Sequence, residues 1–291
     1  MQAHYGKLAP MKPLLIPNVL TIAGVDPSGG AGIVADIKAI SAQRAYACVV
    51  VAALTAQNTR SVTDVLAVEP TFVARQIDTL YADVRIDALK IGMVGQAAVI
   101  EVVADRLAAY DTAHRVLDPV MVAKSGDVLL EKPAIGVLRE ALLPLATVIM
   151  PNLPEAGVLL GARTVETIKE MYRVAERLRE LMTASGARWV YLKGGHLPGD
   201  DAFDLLTDGD RMIEMNVPRI ATKNTHGTGC TLSAALAALL PQSEDVPEAA
   251  RRAKSYLTEA LRYAERLSVG AGNGPVHHFH AMWAARASDG A

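Results

Sequence analysis

The stretch Lys223-Asn224-Thr225-His226-Gly227-Thr228-Gly229-Cys230 is the strongest clue to this fold, because it joins a glycine turn to an alanine- and leucine-rich segment typical of a helix. Gly227 and Gly229 let backbone N–H groups approach an anion closely. The first amides of a helix have no partner within it and carry the positive end of its dipole. The stretch therefore predicts a phosphate-binding helix start, with the Cys230 thiol beside it as a candidate base.

A second glycine-rich turn joins another strand to another helix. The apolar run 19–23 leads into Gly24-Val25-Asp26-Pro27-Ser28-Gly29-Gly30-Ala31-Gly32. The helical face that follows is apolar at Ile33, Ile37 and Ile40. A strand, a turn and a helix in this order suit a small-molecule site at the carboxyl end of a sheet. No Lys-Ser or Lys-Thr pair follows these glycines, and their spacing is not the dinucleotide fingerprint, so the turn is neither of the two commonest nucleotide loops.

The length and composition are those of a single α/β domain. The chain has 291 residues, of which 51% are hydrophobic and 21% charged, and its formal net charge is −2. We predict one domain over 18–282, with poorly ordered tails at 1–17 and 283–291. Because basic residues are scattered and the net charge is slightly negative, nothing electrostatic favours nucleic acid as a partner.

Apolar runs and cysteines bear on where the protein works. The longest apolar runs, such as Cys48–Leu54, are far shorter than the roughly 20 residues of a membrane helix. The N-terminal segment lacks the apolar core of a secretory signal. The two cysteines, Cys48 and Cys230, do not make a disulfide framework and suit a reducing compartment. We therefore predict a cytoplasmic protein with no membrane partner.

Short apolar runs alternate with longer amphipathic segments along the chain. Strands are predicted at 19–24, 47–55, 87–91, 115–120, 147–150 and 188–193. Helices are predicted near 31–44, 71–83, 96–110, 133–143, 166–184, 228–240 and 247–267. This alternation favours a mostly parallel sheet covered by helices on both faces. The segments 202–207 and 211–217 flank Asp208-Gly209-Asp210 and predict a hairpin that adds an antiparallel edge.

Polar residues come at or just after several predicted strands, at Asp118, Asn152, Glu155 and Lys193. Asn152 and Glu155 have the spacing of a helix cap, and that structural role is one interpretation. The other is that Glu155 helps to hold Mg²⁺, directly or through water. Lys193 either reaches an anionic phosphate or lies in a surface turn. Because ligands bind at the carboxyl edge of a parallel sheet, these strand ends together favour a site there.

Seven segments together resemble those of the bacterial hydroxymethylpyrimidine/phosphomethylpyrimidine kinases of the ribokinase superfamily. They are Gly24–Gly32, Ala56–Thr59, Lys90–Met93, Asp118–Met121, Pro151–Glu155, Lys193–His196 and Asn224–Cys230. The resemblance runs from residue 18 to residue 280 and includes the stretch Gly274-Pro275-Val276-His277-His278-Phe279-His280. It therefore covers most of the chain.

The resemblance implies a fold and a reaction. The fold is a ribokinase-like three-layer α/β/α sandwich with a mostly parallel central sheet and an antiparallel edge hairpin, usually assembled as a homodimer. The implied reaction uses ATP and Mg²⁺ to phosphorylate the hydroxymethyl group of 4-amino-5-hydroxymethyl-2-methylpyrimidine. A second ATP then converts the monophosphate to the pyrophosphate, in thiamine biosynthesis. ATP and this small pyrimidine are the implied partners.

The resemblance also implies roles for individual residues. Those implied to line the pyrimidine pocket are Gly24, Asp26, Gln57, Met93 and Val120. Those implied to bind ATP and its phosphates are Asn152, Lys193, Lys223 and Thr225. The candidate metal residues are Glu155 and Asp118. The implied catalytic residues are Gly227, Thr228 and Gly229, which form the anion hole, and Cys230, the base.

The thiol at position 230 stands where many sugar kinases of the superfamily have an aspartate. An unperturbed thiol, with a pKa near 8.5, is only a few per cent ionised at neutral pH. We expect the helix start and nearby cations to lower the pKa of Cys230 enough to ionise about half of it at pH 7. A packing role in the helix is the alternative, because loose phosphoryl-transfer transition states need positioning more than base catalysis.

The sequence leaves other functions open. Pyridoxal kinase is the nearest, because vitamin B6 kinases share the fold and act on a hydroxymethyl group of a nitrogen ring. A Cys/His hydrolase would use His226 to activate Cys230, but the phosphate loop favours His226 as a residue that shapes the loop. The histidines 277, 278 and 280 favour packing over a metal site. A catalytically silent metabolite-binding protein is a further class, and a dependence on a monovalent ion stays open.

Overall fold

The structure is a computed structural model that describes residues 15–123, 126, 129–182 and 188–283. At its centre lies a sheet to which these described residues contribute nine strands. The strands are Asn18–Val25 (β1), Tyr46–Gln57 (β2), Val62–Ala67 (β3), Ala88–Ile91 (β4), His114–Leu117 (β5), Val148–Ile149 (β6), Trp189–Lys193 (β7), Asp201–Thr207 (β8) and Met212–Pro218 (β9). They lie in the order β3-β2-β1-β4-β5-β6-β7-β8-β9.

Helices connect and cover these strands. They are Gly32–Ala42 (α1), Pro70–Tyr81 (α2), Ala97–Ala109 (α3), Lys132–Val137 (α4), Leu153–Leu160 (α5), Ile168–Glu180 (α6), Thr228–Leu239 (α7) and Val246–Arg262 (α8). A π-helical turn at Leu138–Leu142 and short 3-10 turns at Leu143–Leu145, Leu240–Gln242 and Ala264–Arg266 complete the helical part of the described residues.

The strand directions place every parallel carboxyl end at one edge of the sheet. Strands β2, β1, β4, β5, β6 and β7 run parallel, and each pair is joined by regular backbone pairing. Strand β3 is antiparallel to β2 at one edge, and the β8–β9 hairpin is antiparallel at the other. The predicted mostly parallel sheet with an antiparallel edge hairpin is therefore confirmed.

Two apolar clusters separate the three layers. One cluster packs α2, α3, α4, α5 and α6 against one face of the sheet. The other packs α1, α7 and α8 against the opposite face, where small alanines let α7 lie close to the strands. This is the α/β/α sandwich that the sequence predicts. Among the described helices, none combines the length and apolar character needed to cross a membrane.

The structure corrects several predicted elements. Strand β3 was not predicted, because Val62-Thr63-Asp64-Val65-Leu66-Ala67 is mostly exposed and pairs through its backbone with the overhanging end of β2. Helix α5 was not predicted as an element, although its cap was. The predicted helix 133–143 breaks after residue 137 into the π-helical turn and a 3-10 turn that contains Pro144.

Some predictions fall outside the described part of the chain. Of the tails predicted at 1–17 and 283–291, the structure describes only residues 15–17 and residue 283. The last two residues of the helix predicted at 166–184 also lie outside it. The proposed domain bounds therefore stay a prediction.

Candidate active site

A cleft of ≈ 440 Å³ opens at the carboxyl ends of the parallel strands. The structure brings into its lining almost every residue that the sequence predicts for the site: Gly24, Asp26, Gln57, Met93, Asp118, Val120, Asn152, Glu155, Lys193, Thr225, Gly227, Thr228, Gly229 and Cys230. Lys223 is the exception among the predicted residues, since it is exposed and lies outside this lining. The polar strand ends therefore do meet in one cleft.

The start of α7 is an open helix terminus. Gly227 is the N-cap residue, with a left-handed φ of 74°, and no side chain caps this helix within the described residues. A Cβ atom at position 227 would lie 1.7 Å from the carbonyl oxygen of Gly30, so only glycine can occupy this position. Uncapped first-turn amides at a cleft are suited to bind a phosphate group.

The two glycine turns are joined by a buried hydrogen bond. His226 Nε2 lies 2.7 Å from Asp26 Oδ2, and both side chains are almost fully buried. Asp26 also accepts hydrogen bonds from the backbone N–H of Ser28, the Ser28 hydroxyl and the backbone N–H of Ala31. Burial would raise the pKa of Asp26, but the hydrogen bonds from His226 and Ser28 outweigh it and lower the pKa. His226 therefore shapes the loop, as predicted, and the Asp26 carboxylate holds that loop together.

Across the cleft from the two glycine turns, Lys193 lies near the carboxylates of both Asp118 and Glu155. Its Nζ lies 2.6 Å from Asp118 Oδ1 and 4.0 Å from Glu155 Oε2. The Ser233 hydroxyl donates to Asp118 Oδ2 at 3.1 Å, which fixes that carboxylate against α7. Burial would lower the pKa of Lys193, but Asp118 and Glu155 outweigh it and raise the pKa. Burial raises the pKa of Glu155 to about 7, and Lys193 opposes this shift.

Asn152 and Glu155 form a complete capping box at the start of α5. The Asn152 side chain accepts from the backbone N–H of Glu155 at 2.8 Å, and Glu155 Oε2 accepts from the backbone N–H of Asn152 at 2.8 Å. Both residues also line the cleft. The structural role that the sequence leaves open for this pair is therefore real, and any ligand role would come in addition to it.

The expected activation of Cys230 by its helix is wrong. Burial raises the pKa of the Cys230 thiol to about 11, and although Lys90 opposes this, Asp36 and Asp118 add to it. The helix start does not compensate, so at neutral pH Cys230 is a neutral thiol. If Cys230 acts as a base, its thiol must first lose its proton, because only the thiolate can accept the proton of the acceptor.

Sequence reasoning missed two polar features of the site. Thr55 lines the cleft beside Gln57, and its hydroxyl lies 3.1 Å from Gln57 Oε1. Residues two apart on a strand share a face, which is the signal that could have found Thr55. Lys90 is fully buried in β4 beneath the cleft, paired with Asp36 of α1. A lysine within the four-residue strand Ala88-Leu89-Lys90-Ile91 is the signal for that pair.

Residues 26–277 match the family described as phosphomethylpyrimidine kinase. The chain belongs to this family. The chain is 53% identical to the hydroxymethylpyrimidine/phosphomethylpyrimidine kinase of Escherichia coli (strain K12) over 266 residues, which is 91% of this chain and 98% of that protein. The predicted phosphomethylpyrimidine kinase resemblance and the prediction of a kinase are therefore confirmed.

Two solved structures support the fold of this phosphomethylpyrimidine kinase family member. The phosphomethylpyrimidine kinase of Clostridium difficile 630 is 38% identical, with a TM-score of 0.74, and the match covers 84% of this chain and 99% of that one. The pyridoxal kinase of Staphylococcus aureus, in complex with AMP-PCP and pyridoxal, is 31% identical, with a TM-score of 0.81 and coverage of 91% and 94%. The ribokinase-like sandwich is thus confirmed, and that relative binds an ATP analogue.

Proposed function

We propose that this chain transfers a phosphoryl group from ATP to the hydroxymethyl oxygen of 4-amino-5-hydroxymethyl-2-methylpyrimidine, and then a second one to the phosphate of the product, in thiamine biosynthesis. The observation that carries the proposal is that the uncapped start of α7 opens into the same cleft as Gln57, Cys230 and the Asp118–Lys193 pair. A flat acceptor and a phosphate chain can therefore meet in one site.

The acceptor binds on the side of β1 and β2. Gly24, Gln57, Met93 and Val120 line this part of the cleft. The Gln57 carboxamide can both donate to and accept from the edge of an aminopyrimidine. The thioether of Met93 offers an apolar, polarisable surface to a flat ring. A Cβ atom at position 24 would lie 2.6 Å from the Met93 methyl carbon, so a side chain there would displace the end of Met93.

The phosphate chain binds between α7 and β7. The amides of Thr228, Gly229 and Cys230 face the developing charge, and Lys193 supplies a cation from the opposite strand end. In each step a bond forms between the acceptor oxygen and the γ-phosphorus, and the bond from that phosphorus to the bridging oxygen breaks. ADP leaves, and in the first step the hydroxymethyl proton passes to the thiolate form of Cys230 or to water. A loose transition state of this kind depends chiefly on positioning and charge stabilisation.

A magnesium ion fits the donor set at this end of the cleft. Asp118 and Glu155 both approach one ammonium group, that of Lys193, so two carboxylates lie close together at this end of the cleft. Both carboxylates are engaged, Asp118 with Lys193 and Ser233 and Glu155 with its own helix cap. They would therefore hold Mg²⁺ through water, which this ion retains readily. When bound, Mg²⁺ supplies positive charge at the transferred phosphoryl group.

The decisive experiment is product analysis by mass spectrometry. Purified protein is incubated with Mg-ATP and the hydroxymethylpyrimidine, and pyridoxal is supplied in a parallel reaction. We expect both the monophosphate and the diphosphate of the pyrimidine. Pyridoxal phosphate alone would assign the chain to the second candidate, which the likeness to a pyridoxal kinase with pyridoxal bound favours. Binding of the pyrimidine without turnover would instead indicate a metabolite-binding protein.

Replacement of the thiol tests the role of Cys230. We expect Cys230→Ser to lower turnover by roughly 10²-fold or more, the range for a positioned acid or base. Its thermal midpoint should stay close to that of the parent, because the two side chains have similar size. Near-normal turnover would reject the base role and leave Cys230 as a packing residue.

The proposal includes a homodimer that works in the cytoplasm. Leu54, Val65 and Leu66 expose apolar side chains at the β2–β3 edge, where a second copy would cover them. Light scattering coupled to size exclusion should give twice the chain mass, and Leu66→Glu should shift it toward the monomer. Both cysteines are free thiols, as the reducing cytoplasm requires, and cell fractionation tests that location.

A further inference from the structure

A buried ion pair lies against residues 194–197, the turn that follows β7, which we term the β7 turn. Asp204 of β8 and Lys254 of α8 are 5% and 6% exposed. The Lys254 ammonium donates to the Asp204 carboxylate and, at 2.9 Å, to the carbonyl oxygen of Ala202. The buried Tyr191 hydroxyl donates to Asp204 Oδ2 at 3.0 Å. Such a pair is often no more stabilising than apolar side chains of the same volume, but its hydrogen bonds fix the groups that share it.

The other oxygen of this carboxylate accepts a hydrogen bond from the β7 turn. Asp204 Oδ1 lies 2.9 Å from the backbone nitrogen of Gly194, the residue directly after β7. Gly194 is buried, and a Cβ atom there would lie 2.2 Å from the carbonyl oxygen of Phe203, so the turn packs directly against β8. The Gly194 carbonyl accepts from the backbone N–H of Leu197 at 2.9 Å, which closes the turn. Within the described residues, Asp204 is thus the acceptor of a buried amide at the base of this turn.

The β7 turn carries residues of the cleft. Lys193 directly precedes it and His196 lies within it, and both line the cleft. The outer side of the turn is held by Arg219, whose guanidinium donates to the carbonyl oxygens of Gly195 at 2.9 Å and Leu197 at 2.8 Å. The turn is therefore fastened on its outer side by this guanidinium and on its core side by the buried carboxylate.

We propose that Asp204 is a positioning residue for ATP, whose carboxylate fixes the β7 turn and so the places of Lys193 and His196 in the cleft. The inference rests on the proposed function, in which Lys193 supplies a cation to the phosphate chain. Asp204 does not line the cleft, so it acts through the turn. Without its acceptor oxygen, the buried Gly194 amide loses its partner, and the turn must shift to satisfy it. The acceptor ring binds at β1 and β2, away from this turn, so its binding should not change.

The experiment compares two double variants of the full chain that carry the same charge. Both contain Lys254→Met, so that neither keeps an unpaired buried ammonium, and they differ in Asp204→Asn or Asp204→Leu. Asparagine can still accept from the Gly194 amide, whereas leucine, of similar size, cannot. Isothermal titration calorimetry with AMP-PCP and Mg²⁺ measures the Kd. We expect the asparagine variant to bind within about 2-fold of the parent and the leucine variant about 10-fold more weakly, as for a buried amide that loses its partner. Equal Kd values in the two variants would overturn the proposal.

A matched control separates positioning from a general loss of stability. The Gln76 side chain of α2 accepts from the backbone N–H of Val51 at 2.9 Å, and neither residue lines the cleft. Gln76→Met removes this acceptor and should lower the urea midpoint while leaving the Kd for AMP-PCP within about 2-fold of the parent's. If Gln76→Met weakens binding as much as the leucine variant does, the effect is a general loosening and the proposal is wrong.

A second variant keeps the test decisive if the leucine variant does not fold. Tyr191→Phe removes one of the two side-chain donors to the Asp204 carboxylate and leaves the packing of the ring unchanged. We expect it to weaken AMP-PCP binding by about 3-fold, within the range for one hydrogen bond to a charged group. Binding equal to the parent's would then overturn the proposal.

Steady-state kinetics gives a further readout. We expect the KM for ATP of the leucine variant to exceed that of the asparagine variant by about 10-fold, while the KM for the hydroxymethylpyrimidine is the same in both. A rise in both KM values would indicate distortion of the whole cleft and contradict the proposal. Because calorimetry needs no acceptor, failure of the proposed function would show separately, as binding of AMP-PCP by a parent chain that forms no pyrimidine phosphate.

Discussion

Helices α5 and α7 both begin at the carboxyl edge of the sheet, and both starts line the same cleft. They differ in whether a side chain accepts a hydrogen bond from their first backbone amides. In α5, Asn152 and Glu155 satisfy each other's backbone N–H groups. In α7, Gly227 has no side chain, and no side chain in the described residues caps the helix. The start of α5 is capped by its own side chains, whereas the start of α7 is uncapped and can bind an anion.

The difference shows where the rigidity of an open helix start comes from. Since α7 has no cap of its own, its start is held from outside. Gly227 lies against Gly30, the preceding His226 is bonded to Asp26, and Thr231 in the first turn shares a hydrogen bond of 3.0 Å with His278. A self-capped helix start tolerates changes in its neighbours, whereas the α7 start should not.

The largest expected effect comes from Gly227→Ala. The new Cβ atom would lie 1.7 Å from the Gly30 oxygen, in a left-handed conformation that alanine disfavours. We expect turnover to fall by about 10³-fold, as for loss of an oxyanion donor, and the free energy of unfolding to fall by about 3–4 kcal/mol. Steady-state kinetics and urea unfolding measure the two effects.

The matched control is Gly161→Ala at the other end of α5. Gly161 also has a left-handed φ, of 61°, but its Cβ position is free of neighbours within 4 Å. We expect it to lose only about 1–2 kcal/mol of stability, with turnover unchanged. If both variants lose the same activity, the close contact between the two glycine turns is not what holds α7.

The sequence predicted the open helix start well, because its signal is local. Gly227, Gly229 and Cys230 show the glycine turn and the nearby thiol directly, and a helix terminus needs no partner to be recognised. The alternation of strands and helices likewise gave the three-layer sandwich. The capping box of Asn152 and Glu155 was visible for the same reason, since its two residues are three apart.

The parts that the sequence did not reveal depend on distant residues. The bond between Asp26 and His226 joins residues 200 positions apart, and the Lys90–Asp36 pair joins residues 54 apart. The pKa of Cys230 was predicted in the wrong direction because burial, which opposes ionisation, is set by the packing of α1 against α7 and not by the helix start. The local sequence shows which ionisable groups are present, whereas the packing around them determines their pKa values and so their charge.

The next largest effect should come from His226→Ala, which breaks the link between the two glycine turns. Loss of a buried hydrogen bond to a carboxylate costs about 1.5–3 kcal/mol. We expect a loss of that size in urea unfolding and a fall in turnover of roughly 10²-fold, because a small displacement of the phosphate loop misaligns the transfer. His114→Ala removes a half-buried histidine far from the cleft and should leave turnover unchanged. Normal turnover of His226→Ala would show that the start of α7 keeps its position without the bond between His226 and Asp26.

The contact of α7 with His278 should appear as a pH dependence of stability. Burial lowers the pKa of His278 to about 3, so the folded protein keeps it neutral while the unfolded chain binds a proton below pH 6.5. The stability contributed by this neutral histidine is therefore present above pH 6.5 and is lost as the pH falls. Between pH 7 and pH 5 we expect the parent to lose about 2 kcal/mol more than His278→Gln does. Equal losses would mean that His278 titrates freely.

The smallest effect should come from the self-capped helix. Asn152→Ala removes the cap acceptor and should lower the free energy of unfolding by about 1 kcal/mol. Thr167→Ala removes the equivalent acceptor from the capping box of α6, which does not line the cleft, and should cost about the same. If Asn152 also binds ATP phosphates, only Asn152→Ala will raise the KM for ATP, by several-fold. A KM for ATP that is unchanged in both variants would make Asn152 a cap alone, and the contrast between a closed α5 and an open α7 would then be complete.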